Sequence, residues 1–148
     1  MARVMCFGTF DLLHPGHEDY FRQARTFGDE LLVVVARDRT VLEVKGQLPV
    51  TNEEDRRKRV EAHPLVTRAV LGSLEDRHQV LEDHRPDVVV LGYDQQAFTD
   101  ALADELVRRG LSARIERAEA FEPERYHTTL LRQEGVVQND DEDDTLPL

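Results

Sequence analysis

Short apolar runs alternate with segments of helical periodicity along this chain, and this alternation constrains the fold most strongly. Residues 31–36 form an unbroken apolar stretch rich in valine, and residues 3–7 and 88–91 are similar. An unbroken apolar run is typical of a parallel strand that is covered on both faces. The sequence therefore predicts an α/β fold in which helices cover both faces of a parallel sheet.

The other predicted elements follow from the same patterns. Apolar residues recur at helical spacing after Gly16, and Thr51 or Asn52 followed by acidic residues marks another helix start. Pro86 and Gly110 end two further helices. In chain order we predict a helix from Gly16 to Gly28, a polar loop over residues 37–49, a helix from Thr51 or Asn52, a strand at 69–71, a helix at 75–84, a helix at 97–109, a strand at 112–115 and a final helix near Thr128.

Three residues mark the ends of predicted strands. Gly8, Arg37 and Gly92 each follow a short apolar run directly or within a residue or two. Ligands of open parallel sheets bind beyond the carboxyl ends of the strands. We therefore expect these three residues to border the binding site.

The charge distribution limits the partners of the chain. The formal net charge is -11 over 148 residues, and such a field repels nucleic-acid backbones and anionic membranes. We expect neither as a partner. Residues 1–137 are predicted to form one domain, whereas residues 138–148 carry an acidic run and are predicted to be a disordered tail.

Residue usage bears on the cellular environment. Only two of the 19 basic residues are lysines, against 30 acidic residues. That composition is typical of proteins from salt-accumulating halophiles, in which salt screens the self-repulsion of the surface; compositional drift is the alternative. The single cysteine, Cys6, cannot form an internal disulfide, and no leader-like segment precedes the first strand, so we expect a cytoplasmic protein.

Two histidines lie beside a predicted helix start. Pro15 suits the first helical position, so His14 and His17 flank the first turn of a helix that follows the strand ending at Gly8. A helix N-terminus offers unpaired N–H groups and a positive dipole end to phosphate, and Gly16 has no side chain to keep phosphate away. Helix capping or metal binding is the ordinary alternative for two histidines at this spacing.

The complete segment is more specific than its histidines. GTFDLLHPGH at residues 8–17 matches the signature GxFDxxHxGH at every defined position, and the chain resembles the cytidylyltransferase-like family. The resemblance implies a Rossmann-like HxGH nucleotidyltransferase fold and a reaction that joins a nucleoside monophosphate to a phosphorylated acceptor and releases pyrophosphate. It implies that His14 and His17 are catalytic and that the nucleotide is bound by Gly8, Thr9, Phe10, His14, Pro15, Gly16 and His17.

Three further blocks extend this resemblance. Residues 44–46 resemble a block in which a lysine contacts the nucleotide phosphates, which implies a catalytic role for Lys45. Residues 92–94 resemble a block that holds the nucleoside. Residues 126–131 resemble a block whose hydroxyls grip the leaving phosphates, although His127 stands where the family usually has serine. A loop lysine, a turn residue and helix N-caps are the ordinary alternatives. The implied nucleotide-binding residues are Gly92, Asp94, Tyr126, Thr128 and Thr129, and Asp11, Arg56 and Arg125 are further candidates.

Within this family, the sequence around the shared motifs is most similar to that of archaeal FAD synthases. The similarity covers HPGH and residues 35–41, 69–73 and 91–95. It implies transfer of AMP from ATP to FMN, assisted by a divalent cation such as Mg²⁺ whose protein ligands are unknown. A glycerol-3-phosphate cytidylyltransferase that uses CTP and a non-catalytic nucleotide-binding module are the alternatives.

Two properties of the acceptor site and the assembly stay open at this point. Tyr93, Phe98 and Tyr126 are candidates to stack on the flavin ring, but each is equally suited to packing. Relatives with this fold often form dimers, so we expect a homodimer.

Overall fold

The computed structural model of the chain describes residues 2–92, 95 and 98–119. Within that part, five parallel strands form one sheet: β1 Arg3–Gly8, β2 Glu30–Val35, β3 Arg68–Leu71, β4 Val88–Leu91 and β5 Arg114–Arg117. Their order across the sheet is β3-β2-β1-β4-β5. The winding direction reverses between β1 and β4, and open α/β sheets bind ligands at such a switch point.

The side chains of the central strand alternate between two apolar cores. Val4 and Cys6 pack into the first core, whereas Met5 and Phe7 pack into the second. This alternation follows from the period of two in a strand. Because both faces of β1 are covered, the strand reads as an unbroken apolar run, and the predicted parallel sheet is confirmed.

Helices cover both faces of the sheet. The described helices are α1 Pro15–Arg25, α2 Asp38–Lys45, α3 Glu53–Glu61, α4 Gln79–His84 and α5 Phe98–Arg108. The first core receives side chains from α1 and α3, and the second receives side chains from α4 and α5. Asn52 caps α3 by accepting the Asp55 N–H at 2.9 Å, which settles the predicted start. None of the described helices combines the length and apolar character needed to cross a bilayer.

The predicted polar loop over residues 37–49 is wrong over most of its length. Residues 38–45 form α2, and the side chain of its N-cap residue, Arg37, makes no capping hydrogen bond. Instead, the N–H of Asp38 donates to the carboxylate of Glu53 on α3 at 2.8 Å, and Gly46 ends the helix with a φ of 82°. A helix of this length is marginal by itself. The contact with α3 supplies the start that the local sequence lacks.

The helix predicted at residues 75–84 begins four residues later. Asp76 lies in a turn before α4. Its carboxylate accepts hydrogen bonds from the Arg109 side chain and from the His78 N–H. α4 then starts at Gln79. The long-range contact with Arg109 therefore sets this boundary.

The last described strand also differs slightly from its prediction. β5 occupies residues 114–117, two residues after the predicted 112–115. Gly110 adopts a φ of 69° after α5, and residues 111–113 then lead into the strand. The predicted final helix near Thr128 and the predicted tail at residues 138–148 lie outside the described residues.

Arg109 connects the end of α5 to three carboxylates. Its Nη2 donates to both carboxylate oxygens of Asp76, at 3.0 and 2.8 Å, and its Nε donates to Glu105 at 2.9 Å. Glu82 on α4 also contacts the guanidinium. The hydrogen bond from Arg109 lowers the pKa of the Asp76 carboxyl. Arg108 and then Arg109 lower the pKa of the Glu105 carboxyl.

We expect these contacts to make unfolding sensitive to acid. A carboxyl whose pKa is lower in the folded state contributes its full stability above the unfolded-state pKa, about 4, and loses it as the pH falls further. Arg109→Met should therefore flatten the dependence of the free energy of unfolding on pH between about pH 5 and 3. Urea titrations at several pH values measure that slope.

The matched control is Arg22→Met. Arg22 is an exposed arginine that pairs with Asp19 at 3.2 Å, and exposed pairs contribute little to stability. This variant should keep the slope of the wild type. Equal slopes for Arg109→Met and the wild type would contradict the prediction.

Candidate active site

The chain leaves β1 through a turn that only certain residues can form. Phe10 has a φ of 55°, in the left-handed region that favours glycine. Its ring is fully buried and packs over Gly8, where an added Cβ would lie 2.6 Å from the ring. The glycine at position 8 is therefore required by packing inside the motif, in addition to any close approach of a nucleotide.

His14 and Pro15 start α1 as predicted. His14 is the N-cap and Pro15 is the first helical residue. His14 Nδ1 accepts the Gly16 N–H at 3.1 Å, and His17 Nδ1 accepts the His14 N–H at 3.3 Å. Since both Nδ1 atoms accept, each neutral imidazole carries its proton on Nε2. Helix capping by the two histidines is thus confirmed, and it is compatible with catalysis because it uses only one nitrogen of each ring.

The two imidazole rings are held in one orientation. Their centroids are 3.8 Å apart with an interplanar angle of 25°. His17 is 3% exposed and meets the Phe10 ring edge-on at 5.1 Å. A Cβ on Gly16 would lie 2.9 Å from the His14 ring, so glycine makes room for that imidazole. A helix N-terminus attracts phosphate, and imidazole N–H groups held in a fixed orientation are suited to donate to one.

Asp11 joins the candidate catalytic turn, residues 9–14 between β1 and α1, to the segment before α3. Its carboxylate accepts the N–H groups of Val50 and Thr51, both at 2.8 Å. The sequence predicts Asp11 as a further candidate for nucleotide binding. The structure places this carboxylate on two backbone donors that lie about 40 residues further along the chain, which is a structural task that the motif alone does not reveal.

Arg56 is a fully buried arginine that joins three segments. Its Nη1 donates to the Thr9 carbonyl at 2.7 Å, and its Nε donates to the Thr51 carbonyl at 2.9 Å. Its Nη2 donates to Asp38 on α2 at 2.7 Å. The sequence predicts Arg56 as a further nucleotide candidate. The structure places its guanidinium beneath the catalytic turn, where it holds the Thr9 carbonyl in place.

Lys45 lies at the end of α2 instead of in a loop. It is the last residue of the helix and is half-buried. The negative end of the helix dipole favours a cation at this position. The first residue of the same helix, Asp38, bonds to Arg56, so α2 is attached to the residues that hold the catalytic turn.

A tyrosine bridges β1 and β4 near the point where their pairing stops. The two strands pair through only two residue pairs. Beyond them, the hydroxyl of Tyr20 on α1 donates to the Val90 carbonyl at 2.6 Å and lies 3.5 Å from the Phe7 nitrogen. In the sequence, Tyr20 counts only among the apolar residues that recur at helical spacing after Gly16. A buried tyrosine needs a hydrogen-bond partner for its hydroxyl, and this requirement could have indicated the role of Tyr20.

The side chains of Gln95 and Arg117 contact the backbone of Gly92, which follows β4 at the switch point. Gln95 is buried, and its Oε1 accepts the Gly92 N–H at 2.7 Å while its Nε2 donates to the Phe7 carbonyl at 3.4 Å. Arg117 Nη1 donates to the Gly92 carbonyl at 2.9 Å. Neither side chain was identified from the sequence as a site residue, because only the topology brings Arg117 to Gly92 and Gln95 to Phe7. The N–H of Gly92, a predicted nucleoside contact, is engaged by Gln95.

The buried thiol of Cys6 is unsuited to act as a nucleophile. Burial raises the pKa of the Cys6 thiol to about 12, so this thiol stays protonated at neutral pH. Among the residues that the structure describes, no three His, Cys, Asp or Glu side chains come together as a possible metal-binding group.

Several predicted site residues lie outside the described residues. They include the candidate nucleoside contact, the residues of the C-terminal phosphate block and two candidate stacking residues: Tyr93, Asp94, Arg125, Tyr126, Thr128 and Thr129. Their roles stay predictions.

Comparison with known proteins identifies relatives over most of the chain. The family described as cytidylyltransferase-like matches residues 5–134. A protein named FAD synthase from Aciduliprofundum boonei is 47% identical over 121 residues, which cover 82% of this chain and 80% of that protein. FAD synthase from Methanothrix thermoacetophila is 48% identical over 124 residues, which cover 83% of this chain and 85% of the relative. FAD synthase from Methanosarcina barkeri is 46% identical over 117 residues, which cover 79% and 83% of the two chains.

A solved structure supports the same architecture. The lipopolysaccharide core biosynthesis protein from Thermoplasma volcanium is similar with a TM-score of 0.78 and 36% sequence identity. The match covers 82% of this chain and 99% of that chain. The Rossmann-like α/β fold expected from the sequence is confirmed.

Proposed function

This chain belongs to the cytidylyltransferase-like family, and from that premise we propose that it is an FAD synthase. The enzyme transfers AMP from ATP to the phosphate of FMN and releases pyrophosphate. The observation that carries this conclusion is the identity of 46–48% to proteins named FAD synthase over about four fifths of the chain. Its substrates are small molecules.

The reaction replaces one phosphoanhydride linkage at the α-phosphorus of ATP by another. A phosphate oxygen of FMN attacks this phosphorus, the bond to the oxygen that bridges to the β-phosphate breaks, and pyrophosphate leaves with the electron pair. A phosphate monoester is largely ionised near neutral pH, so the attacking oxygen needs no general base. Negative charge grows on the α-phosphate oxygens and on pyrophosphate, where fixed donors stabilise the transition state.

His14 and His17 are proposed to be these donors. The capping bonds engage Nδ1 of each ring, so the Nε2–H of each imidazole is the group that acts on phosphate. The stacked rings lie at the N-terminus of α1, whose dipole also attracts negative charge.

Other residues are proposed to complete the nucleotide site. Lys45 neutralises phosphate charge, and the backbone of the catalytic turn approaches ATP closely. Asp94 holds the nucleoside, and the hydroxyl-bearing block near the C-terminus grips the leaving phosphates. The residues assigned to ATP in this way are Gly8, Thr9, Phe10, Pro15, Gly16, Gly92, Asp94, Tyr126, Thr128 and Thr129.

We propose that a divalent cation such as Mg²⁺ accompanies ATP. The part of the chain that the structure describes offers no ready protein cage, because the nearby carboxylate of Asp11 already accepts two N–H groups. Mg²⁺ is commonly held by substrate phosphates with one or two carboxylates, and it would neutralise phosphate charge. The steps assigned to His14, His17 and Lys45 do not depend on which residue holds the ion.

An assay with crossed substrates tests the function. Purified protein is incubated with ATP or CTP, and with FMN or glycerol 3-phosphate, in the presence of Mg²⁺. We expect FAD and pyrophosphate from ATP with FMN only, measured by chromatography of the flavin and by a pyrophosphate assay. Formation of CDP-glycerol without FAD would assign the chain to the cytidylyltransferases of small polyol phosphates. Binding of ATP without pyrophosphate release from any acceptor would make it a binding module.

Four further properties stay predictions. They are a cytoplasmic location, a homodimeric assembly, a disordered acidic tail at residues 138–148 and an origin in a salt-accumulating organism.

A further inference from the structure

Exposed apolar side chains concentrate beside the catalytic turn. Of the seven exposed large hydrophobic residues among those described, five lie at position 12 or within residues 42–50. We call three of them, Leu12, Leu48 and Val50, the apolar rim; they are 41%, 60% and 95% exposed. Apolar surface is disfavoured in water, and a contiguous patch of it commonly marks a binding site.

The backbone brings the members of the apolar rim together. The Asp11 carboxylate accepts the Val50 N–H at 2.8 Å, and Leu12 directly follows Asp11. Pro49 restricts the residue before it to extended conformations. In extended backbone, residues two apart face the same side, so Leu48 and Val50 face outward while the half-buried Pro49 faces the protein.

The apolar rim borders the phosphate site. Leu12 precedes His14 by two residues, so their Cα atoms are at most about 7 Å apart. Lys45 precedes Leu48 by three residues, at the end of α2. Apolar surface on the rim thus adjoins the histidines, a helix N-terminus and a lysine, all of which favour phosphate.

We propose that the apolar rim binds the isoalloxazine ring of FMN, an inference that rests on the proposed function. FMN joins a flat, largely apolar ring to a phosphate through a ribityl chain. In the protein, the apolar rim corresponds to the ring of FMN, and the adjacent N-terminus of α1 corresponds to its phosphate. The rim therefore selects a phosphorylated acceptor that carries a large ring, because a small polyol phosphate has nothing to bury against it.

The test compares two apolar surfaces of the same chain. The double variant Leu48→Ser/Val50→Ser changes only exposed side chains, and Val107→Ser, which alters a residue of α5 that is 81% exposed, is the matched control. FMN binding is measured without ATP by quenching of flavin fluorescence. The Michaelis constants for FMN and ATP are measured separately during FAD formation.

We expect the double variant to bind FMN about tenfold more weakly, because the ring loses apolar contact with two side chains. The Michaelis constant for ATP and all values for Val107→Ser should match the wild type.

Each other outcome is decisive. Unchanged FMN affinity in a double variant that still makes FAD overturns the inference and leaves the function intact. A double variant that converts a dimer to a monomer in size-exclusion chromatography, with unchanged FMN affinity, assigns the rim to a second copy and also overturns it. If the wild type makes no FAD, the proposed function fails. A rim-dependent FMN affinity would then still support a flavin site, whereas the absence of FMN binding would remove both.

Discussion

Replacing His14 or His17 by asparagine should lower kcat for FAD formation by about 10²–10³-fold, the usual cost of losing one transition-state donor. Asparagine is the informative substitution because its side-chain oxygen lies where Nδ1 lies in histidine. His14→Asn would keep an acceptor for the Gly16 N–H, and His17→Asn would keep an acceptor for the His14 N–H. Each variant therefore loses Nε2 while it retains the cap.

The stability of these variants separates capping from catalysis. His14→Asn should leave the free energy of unfolding within about 0.5 kcal/mol of the wild type, since asparagine is a favoured N-cap, whereas His14→Ala should cost about 1 kcal/mol. His84→Asn, at the end of α4, is the control and should keep full activity. Urea unfolding and steady-state FAD formation measure the two effects. A kcat near that of the wild type in both asparagine variants would remove the histidines from the catalytic step.

Replacing Arg56 by methionine should lower the free energy of unfolding by about 3–5 kcal/mol, as expected when one partner of a buried ion pair is removed. The buried guanidinium donates to the Thr9 and Thr51 carbonyls and to the Asp38 carboxylate. Methionine fills a similar space but removes the guanidinium donor from all three acceptors, of which the Asp38 carboxylate keeps the Glu53 N–H at 3.2 Å. Because the side chain of Asp38 is 29% exposed, water reaches this carboxylate, and the loss should lie near the lower end of the range.

The same experiment distinguishes a positioning role for Arg56 from a phosphate contact. If Arg56 contacted ATP instead, Arg56→Met would raise the Michaelis constant for ATP and leave the urea midpoint unchanged. Arg56→Lys keeps the charge but cannot reproduce the planar set of three bonds, so it should also be clearly destabilised. Arg22→Met removes an arginine whose side chain is 63% exposed and should stay within about 0.5 kcal/mol of the wild type.

The capping bonds change the interpretation of the catalytic motif. In the sequence, helix capping and catalysis are alternatives for His14 and His17. The structure shows the capping, in which Nδ1 of each ring accepts an N–H at the start of α1, and it leaves the proton of the neutral ring on Nε2. Capping is therefore compatible with the catalytic role that we propose for the two histidines.

Elements with strong local patterns were predicted well. The buried parallel strands and α1 depend on apolar periodicity, on Pro15 and on glycines near the helix ends, which are all visible within a few residues. The short helix α2 was missed because its start depends on Glu53, 15 residues away. The start of α4 was misplaced because Arg109, 33 residues away, holds Asp76 in the preceding turn.

The sequence by itself determined the alternation of strands and helices, apart from α2, and the class of reaction, and it predicts where phosphate binds. It did so because residues 8–17 form a contiguous strand, turn and helix start whose chemistry is local. Only the tertiary structure decided what Asp11, Arg56 and Gln95 do. Each of them has a hydrogen-bond partner far along the chain, at separations of 39, 47 and 88 residues respectively. A buried polar side chain must find a partner, but which backbone group becomes that partner is set by how the strands and helices pack together.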